Sequence, residues 1–385
     1  MEANNLYAQK LDAYQKAITR QEGAYVPNAI CNAGASLFWA GKTVFDVAGN
    51  PPAYAQAMTA FLDEMWADVN LMCAISSTPR ISETFPTAEN RLAPDGTLTH
   101  LQSPKMKADE YDQLIADPKS FIANVLLPRK YPYLYESRDA AKAALKVYAE
   151  DQFSNLVVQT DVTNKYLAEV YGISSCVNMG CMINTPLDHL FDYFRGFRGT
   201  LTDLRRQPEK VKAALDAIWE YRSAAQVAAP YDPAQGYAFQ PCHIPAYLSP
   251  KQFKELYWPY EKKLIEWMAS NGGKILLCME GRWENIWECF LEVPKDSLVL
   301  TVDDDDFLKA HEVLGDHQIL VGGLKAADVR LKSFEELKDG IKRVIDTCAP
   351  GGGFIFSPNK VLLSSGDVNQ TLIDCYNFAH EYSKK

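Results

Sequence analysis

Residues 274–306 read KILLCMEGRWENIWECFLEVPKDSLVLTVDDDD. Two apolar runs stand in this stretch, Lys274–Met279 and Leu298–Val302. The first passes directly into Glu280–Gly281, the second into Asp303, Asp304, Asp305 and Asp306. Short apolar runs of this kind, alternating with longer amphipathic stretches, read as strands. Cys176–Met182, Tyr237–His243, Ile319–Val321 and Gly353–Phe356 are built the same way. An earlier run lies near Val69–Ile75, and one more is expected in the first half. Between the runs lie amphipathic stretches such as PKQFKELYWPYEKKLIEWMASNGG (250–273) and SFEELKDGIKRVIDTCAPGGG (333–353). Ser249 with Gln252, ahead of Pro250, and Ser333 with Glu336 have the spacing of capping boxes, while Gly272–Gly273 and Gly351–Gly353 offer permissive backbone for leaving a helix. Strand–helix alternation requires a parallel sheet, and a strand count close to eight favours a closed one. The expected fold is therefore α/β, a (β/α)8 TIM barrel. One domain spans 1–385, with a helical N-terminal extension over 1–60. Residues 76–135, rich in Pro and polar residues, are expected to be a loop-like insertion that forms a lid or a wall of the site.

The 385 residues carry 39 Lys and Arg against 49 Asp and Glu, a formal charge of −10. Such a chain has no field to draw phosphate backbones, which argues against nucleic acid as a partner. Hydrophobic residues at 47% and charged residues at 23% suit a globular chain with a sizeable core. No apolar run approaches the roughly 18–20 residues of a membrane span, and the polar start has no signal-peptide core. A soluble, cytoplasmic protein with no membrane partner is expected. Nine cysteines without a CxxC pair read as reduced thiols, mostly packed.

Barrel enzymes collect their functional groups where strands end at the C-terminal face. That rule selects Cys242 and His243, Cys278 and Glu280, Asp303, and the group Ser357, Asn359 and Lys360. A carboxylate directly after a buried strand is costly to leave unpaired, which marks Glu280. Asp303 is nearest its strand, whereas Asp306 precedes FLKAHEVLG and suits a helix N-cap. His189, His311, His317 and His380 are expected at the surface. A Cys278, Glu280 and His243 set has donors that suit zinc. No HExxH, P-loop, GxGxxG or GxSxG is present.

The segments PLDHLFDYFRGFRGTLTDLRRQPEKV, LSPKQFKELYWPYEKKLIEW, ILLCMEG, LKAHEVLGDHQILVGGL and GGGFIFSPNKV resemble the uroporphyrinogen decarboxylase superfamily, which includes corrinoid-dependent methyltransferases. The resemblance covers about 165–385, and 25–75 more loosely. It implies a barrel with its site at the C-terminal face. In the coenzyme M methyltransferases of this group, the zinc-binding H-x-C positions fall on Cys278 and Glu280 of this sequence, and the further Cys falls near Lys360. These changed ligand types count against the coenzyme M enzymes. The Arg-rich N-terminal motif of the decarboxylases is absent, and Phe38, Trp39 and Phe45 stand in that half instead. Glu280–Gly281, Asp303 to Asp306 and Gly352–Phe354 are similar to the branch that takes methyl groups from methoxylated or methylated donors.

The resemblance thus implies an O-demethylase-type methyltransferase acting on a methoxylated, aromatic donor or a methylated one. The corrinoid would be carried by a partner protein, and zinc is the metal to test. Glu280, His243 and Asp303 are the catalytic candidates. Asn184, Asn359, Lys360, Phe38 and Trp39 are the substrate-binding candidates. Either a metal polarises the leaving oxygen, or Glu280 or His243 protonates it while Lys360 stabilises a phenolate. Arg195–Gly199 (RGFRG) is a candidate rim contact for the corrinoid protein, with a solvated glycine turn as the competing reading. The expected partners are that protein, a small-molecule methyl donor and a second copy of the chain. The alternatives are a decarboxylase of the uroporphyrinogen type and a non-catalytic tetrapyrrole- or corrinoid-binding protein.

Overall fold

A computed structural model describes residues 2–101 and 104–385. The chain is an α/β fold in which parallel strands curl around an apolar interior. The strands are β1 Ala29–Asn32, β2 Val69–Cys73, β3 Asn90–Leu92, β4 Leu98–His100, β5 Ser174–Ser175, β6 Val177–Met182, β7 Tyr237–Cys242, β8 Ile275–Met279, β9 Leu298–Val302, β10 Ile319–Leu324 and β11 Phe354–Pro358. β6 to β11 form a six-stranded parallel sheet in chain order, and β1, β2 and β5 form a second parallel sheet. Isolated bridges Asn28–Phe356 and Asn32–Leu362 run between β1 and the β11 side. At the other edge Cys176 takes a bond from Tyr237 N at 2.7 Å and gives one to Asn70 O at 3.3 Å, so one residue spans both sheets.

Side-chain parity sorts the core. Leu276 and Cys278 of β8 and Val299 of β9 point into the curl with Phe239, Val321 and Ile355. Their neighbours Ile275, Leu277 and Met279, with Leu298, Leu300 and Val302, pack against the outer helices. Alternation of faces along a strand makes this unavoidable, and burial of both faces explains the unbroken apolar runs. Helix starts follow the expected devices. Ser249 and Ser333 make their capping boxes with Gln252 and Glu336, and Asp306 accepts from Leu308 N and Lys309 N.

Three expectations are corrected. Residues 1–60 contain helices, Glu2–Ile18 and Pro51–Thr59 among them, but also β1, whose four residues are too few to stand out as an apolar run. Residues 76–135, of which 102 and 103 lie outside the described residues, are not loop-like. They carry the antiparallel hairpin β3–β4 and short helices. His189 and His380 are buried: His380 stacks on Trp66 with ring centres 4.0 Å apart. The burial of His380 comes from segments far away in the chain, Tyr25 and Trp66, which helix periodicity cannot report. All nine cysteines are free, and seven are buried. Among the described residues no helix is long and apolar enough to cross a membrane.

Candidate active site

The parity that points Phe239, Leu276, Val299 and Ile355 inward carries on past the strand ends. Two-residue steps from these lead to His243, Glu280, Asp303 and Asn359, all of which line one cavity of about 450 Å³. Its deeper wall is apolar, with Ala33, Met72, Phe239, Pro241 and Val321; Cys278 and Thr301 also line it. The β3–β4 hairpin adds Asn90, Leu98 and His100 to the lining.

His243 is held between two carboxylates. Its Nδ1 lies 2.9 and 3.0 Å from the two oxygens of buried Asp192, and its Nε2 lies 3.4 Å from Glu280 Oε1. Burial alone would lower the imidazole pKa. The bonds and charges of Asp192 and Glu280 outweigh it and raise the value to about 11. His243 is therefore an imidazolium at neutral pH, facing the cavity with a proton to give. Asp192 lies in the π-helical turn Leu190–Arg195, a widened turn of the kind that recurs at functional sites. One turn earlier Asp188, wholly buried, accepts from Tyr257 OH at 2.8 Å and Thr185 Oγ1 at 2.9 Å. Burial and the Asp192 charge push it up to about 6.

The two acidic strand ends are laced together. Gly281 N donates to Asp303 Oδ2 at 2.9 Å, Trp283 N to Asp305 Oδ2 at 2.7 Å, and Asp304 N to Gly281 O at 3.1 Å. Lys360 Nζ lies 3.1 Å from both Asp303 and Asp304, and Asn359 Nδ2 donates to Asp303 O at 2.8 Å. Burial raises the Asp303 pKa, with the Gly281 amide and Lys360 opposing. Gly281 has φ +81°, and a Cβ there would stand 2.7 Å from Ala246 Cβ. Gly281→Ala should therefore cost about 1–3 kcal/mol in urea unfolding and loosen the turn that pins Asp303. Unchanged stability would contradict this reading of the turn.

Of the residues expected from sequence, His243, Glu280, Asp303, Cys278, Asn359 and Lys360 share the cavity. Asn184, Phe38 and Trp39 do not line it. Trp39 packs on the outer core, and Asn184 Oδ1 is buried with no partner among the described residues. Arg195 is not solvated: its Nε meets buried Asp203 at 2.6 Å, its NH1 donates to Met106 O at 3.0 Å, and Tyr111 OH donates to the same Asp203 at 3.0 Å. A Cβ at Gly199 would stand 2.8 Å from that guanidinium, so this glycine of RGFRG makes room for Arg195. Missed in the sequence were Asp192, inside a helical pattern, and His100. For His100 the available signal was Pro94–Asp95–Gly96, a turn signature between the short runs Asn90–Leu92 and Leu98–His100.

Zinc does not fit the residues present. Among the described residues no group of three or more His, Cys, Asp and Glu is placed to hold a metal ion. The expected Cys278, Glu280 and His243 set lines one cavity but is not among groups so placed. His243 instead turns both ring nitrogens to carboxylates, Nδ1 to Asp192 and Nε2 to Glu280.

Behind β7, Glu261 is wholly buried and accepts from Gln240 Nε2 at 2.6 Å, while Glu261 Oε1 and Gln240 Oε1 have no partner among the described residues. Burial raises its pKa from 4.5 to about 8. A group raised on folding stabilises fully below its unfolded pKa, and that contribution is lost as pH rises through the folded value. Glu261→Gln should therefore gain on the wild type between pH 5 and 8, by up to about 1.4 kcal/mol per pH unit. Urea unfolding at pH 5 and pH 9 checks this, and an equal difference at both would refute it.

Residues 144–363, more than half of the chain, match the uroporphyrinogen decarboxylase (URO-D) family. No curated protein matches in sequence. Among solved structures, a methyltransferase from Methanosarcina mazei is similar at a TM-score of 0.57 and 14% identity, covering 96% of this chain and 97% of that one. With the curled parallel sheet and its cavity at the strand ends, the match over 144–363 shows that the chain belongs to the uroporphyrinogen decarboxylase family.

Proposed function

We propose that this protein is a methyltransferase that takes a methyl group from a methoxylated aromatic donor and passes it to the corrinoid of a partner protein docking at the cavity mouth. The observation that carries the reading is the His243 imidazolium, clamped by Asp192 and Glu280, beside an apolar chamber of about 450 Å³. An aryl ether is a poor leaving group until its oxygen is relieved of charge. The corrinoid would supply the nucleophile that accepts the methyl group. The carbon–oxygen bond breaks, its electron pair stays on oxygen, and His243 Nε2 gives its proton to that oxygen. Glu280 keeps the imidazole charged beforehand, and Asp303, held by Gly281 and Lys360, shapes the polar end. The apolar wall holds the ring and excludes water. No step runs through a metal. We read the curled sheet as a (β/α)8 barrel in which β5 and β6 count as one strand, a reading supported by the bridges from β1 to the β11 side.

A polycarboxylate substrate finds little support. Lys360 is the one Lys or Arg among the described residues lining the cavity, and it is already paired with Asp303 and Asp304. The deciding assay supplies methoxyaromatics and methylamines with cob(I)alamin. Methylcobalamin formed from a methoxyaromatic is the expected result. No methylcobalamin from any donor, or carboxylate loss from uroporphyrinogen, would overturn the proposal.

A further inference from the structure

His100 ends β4 and lines the cavity, its ring centre 5.8 Å from that of His243. Its cross-strand partner Asn90 sets its tautomer: Nδ1 lies 3.0 Å from Asn90 Oδ1, an acceptor, so Nδ1 carries the hydrogen and donates it. Nε2 is then a lone-pair acceptor, and it makes no hydrogen bond to another described residue. Desolvation and the nearby His243 cation hold the His100 pKa below its ordinary value, against the opposing pull of Asp192 and Glu280, so the ring is neutral at pH 7. The two imidazoles thus differ in kind. One is a charged donor clamped by carboxylates, and the other is a neutral acceptor on an inserted hairpin.

We infer that His100 is a specificity-determining residue, whose Nε2 accepts a hydrogen bond from the substrate and so selects donors with a free hydroxyl next to the ether that His243 serves. This rests on the methyl-transfer reading. Two imidazoles at this separation reach oxygens on neighbouring carbons of one ring. A substrate with both oxygens methylated forgoes that bond; because His100 is exposed, the preference is that of one hydrogen bond rather than of a buried group left unpaired.

The test is calorimetric binding to the intact protein without corrinoid, comparing 2-methoxyphenol with 1,2-dimethoxybenzene. The wild type should favour 2-methoxyphenol by about tenfold, the equivalent of one hydrogen bond. His100→Phe should bring the two affinities together while both still bind. His100→Gln, which keeps an acceptor, should retain part of the preference, and Asn90→Ala, which frees the tautomer, should weaken it. Thermal melting checks that each variant folds. A preference unchanged in His100→Phe, or a wild type that favours the dimethyl ether, overturns the inference and leaves the methyl-transfer reading standing. Failure of both compounds to bind the wild type overturns both.

Discussion

Methyl transfer from a methoxyaromatic donor is expected to fall by about 10²–10⁴-fold when His243 is replaced by glutamine, because that range is what a positioned proton donor contributes. Glutamine keeps the size and polarity of the side chain but carries no transferable proton, so donor binding should change far less than the rate. Equal loss of binding and rate would mean that His243 only holds substrate. The companion variant Asp192→Asn separates positioning from chemistry. Asp192 favours the charged imidazole, so removing its charge lowers the His243 pKa from about 11. The acid form is the active one, and activity then declines as pH rises through the new, lower value. The wild-type profile should show no such fall between pH 6 and 9, while the Asp192→Asn profile should. Coincident profiles would remove Asp192 from the machinery.

Arg195→Ala should destabilise the fold by about 3–5 kcal/mol, the penalty for stripping the partner from a buried charge. The charge left behind is Asp203, 2% exposed and, among the described residues, kept with the Tyr111 hydroxyl. Urea unfolding measures this directly. The result also settles the role of RGFRG. A rim contact for a partner would lose partner affinity with the melting temperature intact, whereas the 2.6 Å pair with Asp203 predicts the reverse. Preserved stability would restore the rim reading.

The strands from β7 onward were legible because both their faces are largely buried, which leaves apolar runs with polar residues at their ends, whereas β6 is half-exposed. Leu298–Val302 matches its observed bounds, and Lys274–Met279 differs only at its first residue. β1 escaped because four residues make too short a run, and the hairpin β3–β4 escaped because its strands are half-exposed and polar. His243, Glu280 and Asp303 could be picked out since each sits just past a strand. The zinc set could not be judged from residue types, because ligation depends on where folding places the donor atoms relative to one another.

Sequence alone determined the alternation of strand and helix, the helix starts at Ser249, Asp306 and Ser333, and which residues stand at the strand ends. These are local matters of periodicity and hydrogen bonding within a few residues. Only the tertiary structure decided that Asp192, 51 positions before His243, holds its imidazole, that His100 comes within 5.8 Å of it from an inserted hairpin, and that Arg195 turns inward to Asp203. Those are charge and burial relations between separate segments, and a pKa or an ion pair exists only once folding has brought the groups together and removed the water between them.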